Sequence, residues 1–453
     1  MYLFIHRKDL RTCDMRAFDA LKRRQLPGLH VLILDPALLT EERLNAHSGK
    51  QFLEHAVRLD GAYKEAGRTL HIIYGRPEQI TADLLEAYPI QGIVAHADYT
   101  PYAKKRDAAI ASTASLRGVP AVFIEDLPLA PLEQLQEYSG RSEPYKVFTP
   151  FYRKWNSFMQ TYYNGAATAA ISDLDTVHDL DEAILERYRL PTAVSAAWSR
   201  TAERLRDEGC GMNARQVLSQ FVSERVHAYE DQRDAYANEG TSGISRFLNS
   251  GALSARTAYE AAADIPGAGA WLRQLAWRDF YLYQAAMSND FFTCEQQYDM
   301  SSLNDTHYEA WTKGQTGIPV IDAAMTQLNQ TGEMPNRLRM VTAMFLTKNL
   351  LCPLTLGEAY FRTHLADYDH VLNRGGWLWS SSFGYDAAPY FRIMNPSSQS
   401  AAHDPQGDYI RRWLPELASL LARDIHQPLS HAIVDLKTSR ARAIEVYKNI
   451  LGS

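Results

Sequence analysis

The chain is poor in cysteine, in charge of one sign and in long apolar runs, and each scarcity closes off a class of function. Four cysteines occur among 453 residues, Cys13, Cys210, Cys294 and Cys352, and no two share a CxxC spacing. Disulfide frameworks and zinc sites need paired or clustered ligands, so neither is expected, and no metal is assigned. A reducing cytoplasm fits this usage. No segment reaches the roughly 18 apolar residues of a membrane span. The apolar run in MYLFIHRKDLR is too short for a secretory leader, so a cytoplasmic chain without membrane association is expected. Net charge is −6 and the pI about 6.2, well below the value above about 9 that marks basic nucleic-acid-binding domains. Any polyanion must therefore meet local positive charge. The candidates are Arg233, Arg337, Arg339, Arg374, Arg392, Arg411 and Arg412, all in the second half. No GxGxxG follows the first β-rich run, which excludes a standard dinucleotide fingerprint there. Repeats and low-complexity tracts are also missing.

What is present divides the chain in three. Short β-rich runs occur at 2–6, 29–35, 69–75, 92–98 and 121–126, each a helix-length or more from the next. Between them, 48–67 places Phe52, Ala56, Leu59 and Tyr63 at helical spacing, and 102–117 has Ala109, Ile110 and Ala114 on one side. Strands alternating with helices predict right-handed crossovers and a parallel, Rossmann-like sheet over residues 1–130. From 131 to 195, prolines and an acidic polar stretch predict an interdomain connection. Helical patterns then follow at 197–208, 212–232, 252–264, 270–287, 318–329, 336–350 and 413–422, so 196–453 is expected to be an all-helical domain.

The densest chemistry lies in LADYDHVLNRGGWLWSSSFGYDAAPYFRIMNP, 365–396. Asp367 and Asp369 accept hydrogen bonds, and Asn373 donates or accepts. Gly375 and Gly376 permit close backbone approach. Trp377 and Trp379 add flat apolar surface. Two readings follow: a polar cradle beside an aromatic wall for a planar cofactor, or a capped loop with two core tryptophans. At 241–245 the TSGIS turn opens a helical pattern, which suits either a phosphate at free backbone N–H groups or a plain N-cap.

The order of these motifs resembles the DNA photolyase and cryptochrome family. TSGIS is similar to its TSxLS turn and WLRQLAWRDFY (271–281) to its WxxELxWREFY helix. NRLRM (336–340) and YIRRWLPEL (409–417) follow in order, and FIHRKDLR and YKVFTPF (145–151) resemble N-terminal landmarks. The resemblance, strongest to class I cyclobutane pyrimidine dimer photolyases, implies an N-terminal α/β domain and a helical FAD domain. It also implies light-driven dimer repair by electron transfer from reduced FAD. A cryptochrome-like photoreceptor without repair is the alternative. The implied partner is dimer-containing DNA, bound by a monomer.

Residue by residue, the resemblance places Tyr229, Thr241, Ser242, Gly243, Ile244, Ser245, Arg278, Arg339, Asp367, Tyr368, Asp369 and Asn373 at the FAD, with Arg339 pairing with Asp367. Asn373 would face flavin N5, and Trp377 would be the innermost relay indole. Gln274, Asn373 and Trp377 are the expected catalytic set. Trp277 and Trp379 would flank a flipped dimer, as enzymes acting on a base take it out of the stack. Arg233, Asn336, Arg337, Met340, Arg392 and Gln399 complete the expected DNA contacts. Asn336 and Met340, four apart, share a helix face.

The chain departs from the family pattern at several places. Gln274 replaces a glutamate, so the position hydrogen-bonds without supplying charge. Leu354 and Ser301 stand at the middle and outer relay tryptophans, which predicts slow photoreduction or another route through Trp311 or the tyrosines at 298, 308, 360 and 368. Pro335 replaces a histidine common at that position, which removes support for (6–4) repair. Ala402 and His403 replace a Lys-Phe pair. The scattered cysteines do not match the family's iron–sulfur branch. A second antenna chromophore, folate or deazaflavin, is left open because Tyr102 and Ala103 replace the folate-type Asn-Glu pair.

Overall fold

A computed structural model describes residues 1–207, 213–238 and 240–452. Cys210 and the expected helix limits at 208 and 212 lie outside the described residues. The described chain forms two compact units. The first comprises Met1–Glu143, Tyr152–His227 and Ser242–Leu282, and the second Pro144–Phe151, Ala228–Thr241 and Tyr283–Ser453.

The first unit holds a five-stranded parallel sheet of β1 (Tyr2–His6), β2 (Gly28–Leu34), β3 (His71–Tyr74), β4 (Ile93–His96) and β5 (Ala121–Ile124), in the order β3-β2-β1-β4-β5. All five predicted β-rich runs are strands. Both β1 and β2 are buried along their whole length, as expected of a parallel sheet covered on two faces. Side chains alternate between the faces. Tyr2, Phe4, Leu32 and Leu34 pack with Leu53, Leu59 and Tyr63 of the helix His47–Glu65 and with Val194 and Ala197. Leu3, Ile5, Val31 and Ile33 meet Ile80 and Leu84 of the helix Pro77–Ala87 and Ile110 of the helix Pro101–Ser115. Gly28 is required by packing, since a Cβ there would lie 2.3 Å from the Tyr2 ring. The proline-interrupted region contributes helices at Leu132–Ser139, Phe148–Tyr162 and Glu182–Arg187. Its Ile171 and Leu174 join the first core, and Ile184 and Tyr188 the second.

Polar groups are buried in this unit as a connected network. Tyr2 Oη lies 3.1 Å from His30 Nε2, and Tyr63 Oη lies 2.8 Å from His30 Nδ1 and 2.6 Å from His6 Nε2. Asp9 then joins His6 Nδ1 at 3.0 Å and His96 Nδ1 at 2.6 Å. Burial alone would raise the Asp9 carboxyl, yet the two imidazoles outweigh it and hold it well below the carboxylate range. Arg256, 1% exposed, pairs with Asp14 at 2.8 Å and Asp126 at 2.7 Å, and Arg11 also pairs with Asp126.

The second unit is helical among its described residues. Its main helices are Pro319–Thr331, Asn336–Met344 continuing into a π turn at Phe345–Asn349, Leu354–His364, His370–Ser380 and Leu436–Leu451. Across the two units, three expected helices are shorter than their patterns, those at Ala214–Glu224 and Ala255–Glu260 lying in the first unit. The stretch 413–422 is mostly not helical: Pro415 separates Asp408–Trp413 from a 3-10 turn at Pro415–Leu417, and the helix resumes only at Ala422–Ile425. The 212–232 pattern breaks after Glu224 into a 3-10 turn and Tyr229–Gln232. The 252–264 pattern keeps only Ala255–Glu260. No helix among the described residues is long and apolar enough to cross a membrane.

Candidate functional site

The helix His370–Ser380 organises the second unit's polar residues. Its N-cap is Asp369, whose Oδ1 accepts from the N–H groups of Val371 at 2.9 Å and Leu372 at 3.1 Å. Asp369, Asn373 and Gly376 follow at helical spacing and so lie along one face. Asn373 donates through Nδ2 to the Glu358 carbonyl at 3.1 Å. That bond anchors the amide and leaves its oxygen as the acceptor end. Gly376 is exposed, and a Cβ there would meet nothing within 4 Å. On the buried side, Trp377 is 1% exposed and its Nε1 has no partner among the described residues.

Asp367, just before this helix, receives one Arg339 nitrogen at 3.0 and 2.9 Å to its two oxygens. Arg339 is itself oriented by Nε donating to the Met334 carbonyl at 2.9 Å. Pro335, the N-cap of the Asn336–Met344 helix, sets the turn between them. The expected Arg339–Asp367 pair therefore forms. Its members are 28% and 12% exposed, so breaking it costs less than breaking a fully buried pair. The ring of Tyr368 lies 6.4 Å from His370.

Asn336 Nδ2 sits 3.8 Å from Met340 Sδ, so these two do share a face, with Asn336 exposed. Arg337, one residue on, pairs with Asp234. Burial raises the Asp234 carboxyl, but Arg337 brings it below its ordinary value. Arg233 lies 5.9 Å from the ring of Tyr229, whose phenol burial pushes up. Arg392 is exposed, Trp379 is half-buried, and Gln399 has a buried Oε1 without a partner among the described residues. Arg374, contrary to the expectation from the sequence, is not a local positive charge open to a polyanion. It is 3% exposed and held between Glu295 and Glu358, so its charge is neutralised inside the fold and is not presented to a phosphate. Arg411 and Arg412 are partly spent on backbone carbonyls, of Leu420 at 2.9 Å and Ala237 at 3.3 Å.

In the first unit, Gln274, Trp277 and Arg278 share the helix Gly269–Met287. Gln274 donates Nε2 to the Ala270 carbonyl at 3.0 Å. Trp277 is half-buried, with Phe280 edge-on at 5.8 Å and Tyr281 at 6.0 Å. Arg278 is buried and donates to the Leu127 carbonyl, while its Nε has no partner among the described residues. Ser242, Gly243, Ile244 and Ser245 lead into the short helix Ser245–Ser250; Thr241 belongs to the second unit. Gly243 has φ +65, a left-handed conformation that glycine adopts without strain. No side chain caps this helix, so the plain N-cap reading of the turn finds no support.

Several buried groups escaped the motif reading. Asp279, beside Arg278, accepts from Leu129 N–H at 2.9 Å, Ala130 N–H at 2.8 Å and Trp155 Nε1 at 2.9 Å. Its position inside WRDFY was the available signal. Lys348 is fully buried, with Nζ 2.8 Å from Ser382 Oγ and 3.2 Å from the Tyr447 ring centroid. A lysine inside the apolar run MFLTKNLLCPL was a signal for it too. In the first unit, Tyr102 donates to Asp35 and Ala103 is buried.

Both ends of the chain are similar to known proteins. Residues 2–171 match the family described as DNA photolyase, and residues 271–450 the FAD binding domain of DNA photolyase. The chain is 35% identical over 439 residues to the deoxyribodipyrimidine photo-lyase of Alkalihalophilus pseudofirmus, covering 93% of this chain and 88% of that one. It is 36% identical over 386 residues to the same-named protein of Vibrio cholerae, with 80% of each covered. A bacterial class III photolyase structure from Agrobacterium tumefaciens superposes with a TM-score of 0.84 at 28% identity, over 100% of this chain and 98% of that one. An archaeal photolyase from Sulfolobus tokodaii with two FAD molecules gives 0.81 at 26% identity, over 99% of each.

Proposed function

Because the chain belongs to the DNA photolyase family, we propose that it uses light and reduced FAD to split cyclobutane pyrimidine dimers in DNA. One observation supports this reading most: the Asp367–Arg339 pair stands just before a helix whose face carries buried Asp369, half-buried Asn373 and exposed Gly376, polar groups leading out to open space. Such a face suits the polar edge of a flavin ring. Bound reduced FAD supplies the electron that light drives onto the dimer and that returns once the ring has split.

The protein's own side chains then bind, orient and tune. Asn373, anchored through Nδ2, offers its oxygen to an N–H of the flavin edge, which favours the reduced cofactor. Asp367 and Asp369 hold the polar edge, and Arg339 fixes Asp367. Tyr229, Tyr368 and Arg278 are assigned to the same cofactor, and the Thr241–Ser245 turn to its pyrophosphate. Trp277 and Trp379 give flat surfaces for extruded bases. Asn336 and Met340 contact the lesion, while Arg233, Arg337, Arg392 and Gln399 meet the DNA strand. Gln274 hydrogen-bonds a pyrimidine without adding charge. We further propose a monomer acting in the cytoplasm, in keeping with the free cysteines Cys13, Cys294 and Cys352.

Illumination of chemically reduced protein with dimer-containing DNA tests the reading. Light-dependent dimer loss over many turnovers is expected. Bound FAD without dimer loss would assign the chain to the photoreceptor side of the family instead.

A further inference from the structure

The positions that resemble the usual middle and outer relay tryptophans hold no oxidisable ring. Leu354 is a buried aliphatic and Ser301 an exposed hydroxyl. Trp377 is nonetheless not isolated. Its ring centroid lies 6.2 Å from that of Trp311 in an edge-on contact, and Trp311 is 0% exposed. Phe361 touches both indoles, at 5.1 Å from Trp377 and 6.0 Å from Trp311. Gly357 brings a helix backbone against Trp377, since a Cβ there would lie 2.0 Å from the indole Cη2. Beyond Trp311 come two half-buried tyrosines, Tyr360 at 5.6 Å and Tyr308 stacked at 6.2 Å. Tyr298 instead packs on Phe383 and Tyr368 near His370.

We propose that Trp311 is the second member of a rerouted electron relay, taking the place left by Leu354 and supplying the electron that Trp377 loses. The proposal rests on the functional reading above, since it needs bound FAD as the light-driven oxidant. One electron passes from Trp377 to light-excited oxidised flavin, one from Trp311 to the Trp377 cation radical, and one from an external thiol to the Trp311 cation radical. No bond forms or breaks in the protein.

The hydrogen bonds give the hole a direction. Trp311 Nε1 donates to the Thr342 carbonyl at 3.2 Å, whereas Trp377 Nε1 has no partner among the described residues. A hydrogen bond from a positively charged donor is stronger than from a neutral one, so the cation radical is more stable on Trp311. A carbonyl is too weak a base to take the indole proton, so Trp311 stays a cation radical. The tyrosines do not trap the hole. Tyr360 Oη donates to Asn329 Oδ1 at 2.7 Å and Tyr308 Oη to the Leu356 carbonyl at 3.2 Å, and neither acceptor is a base. Burial pushes the Tyr360 phenol up to about 12. Both rings serve as the route by which the thiol's electron reaches Trp311.

The test compares FAD-loaded wild type, Trp311→Phe and the control Tyr298→Phe, each oxidised and flashed with a thiol present. Wild type and the control should photoreduce quickly and show a long-lived tryptophan cation radical by transient absorption. In Trp311→Phe that signal should collapse by rapid charge return, with photoreduction slowed at least about tenfold. FAD content, unfolding midpoint and dimer repair by chemically reduced protein should stay at wild-type values. Wild-type radical lifetime in folded, FAD-loaded Trp311→Phe overturns the relay, as does slow photoreduction in wild type itself. Lack of FAD or of dimer repair in wild type would instead overturn the functional reading.

Discussion

Two polar neighbourhoods, one in each unit, are built on opposite terms. Under the sheet, Asp9 is shared by His6, His96 and the Arg7 N–H, and the chain of bonds runs on through Tyr63 and His30 to Tyr2. These groups are satisfied by one another. Around the helix His370–Ser380, polarity is left open: among the described residues the Asn373 side chain uses only its nitrogen, and Gly376 faces free space. Saturated buried networks hold a fold together. Polar groups anchored at one end and open at the other are positioned for something that arrives later. The comparison therefore separates structure from chemistry better than residue type does, since both neighbourhoods use carboxylates, amides and aromatic rings.

The largest effect should come from the saturated side. Asp9→Ala leaves two imidazoles and a backbone N–H without their acceptor and should cost about 3–5 kcal/mol, the scale for removing one partner of a buried charge pair. Urea unfolding measures it, and FAD per folded molecule should not change. Loss of FAD at unchanged stability would break the contrast. Next, Trp277→Ala should weaken binding to dimer-containing DNA by about 1–3 kcal/mol, read by titration, with FAD content retained. A joint loss of FAD and stability would make Trp277 a packing residue.

Asn373→Ala removes one anchored amide and should cost about 1 kcal/mol of stability. Its main effect should be on the flavin, whose reduced form becomes less favoured in a redox titration. An unchanged potential would remove Asn373 from the cofactor. A further effect is read as a slope with pH rather than as a single value, and it concerns Lys348, which burial lowers to about 6 from its ordinary value. The unfolded chain then binds more protons than the folded one from about pH 6 upward, so this group makes stability rise with pH. Between about pH 6.5 and 9, wild type should gain stability relative to Lys348→Met. Parallel pH profiles would mean that Lys348 keeps its charge in the fold.

Much of the fold was legible in the sequence because its periodicities are strong. All five β-rich runs are strands, and the helices at 48–67, 102–117, 270–287 and 318–329 form within a few residues of their patterns. The failures have local causes. Pro415 breaks the helix expected at 413–422, and apolar spacing alone could not show where the 212–232 pattern would tighten into a 3-10 turn. At the site, the family resemblance pointed to the Arg339–Asp367 pair across 28 residues, while the shared face of Asn336 and Met340 rests on local helix geometry. Arg374 was misjudged because its partners, Glu295 and Glu358, come from 79 and 16 residues away. No local pattern reports such a pairing. The contact of Trp311 with Trp377 was hidden for the same reason, although Trp311 was among the sequence candidates.

If the polar face of the helix His370–Ser380 serves a reduced flavin that repairs DNA, repair must be light-driven and catalytic. The most direct measurement is dimer loss per bound FAD in chemically reduced protein saturated with dimer-containing DNA, in light and in darkness. Loss in light well beyond one dimer per FAD, and none in darkness, is expected. Full FAD occupancy with no light-dependent loss would contradict it.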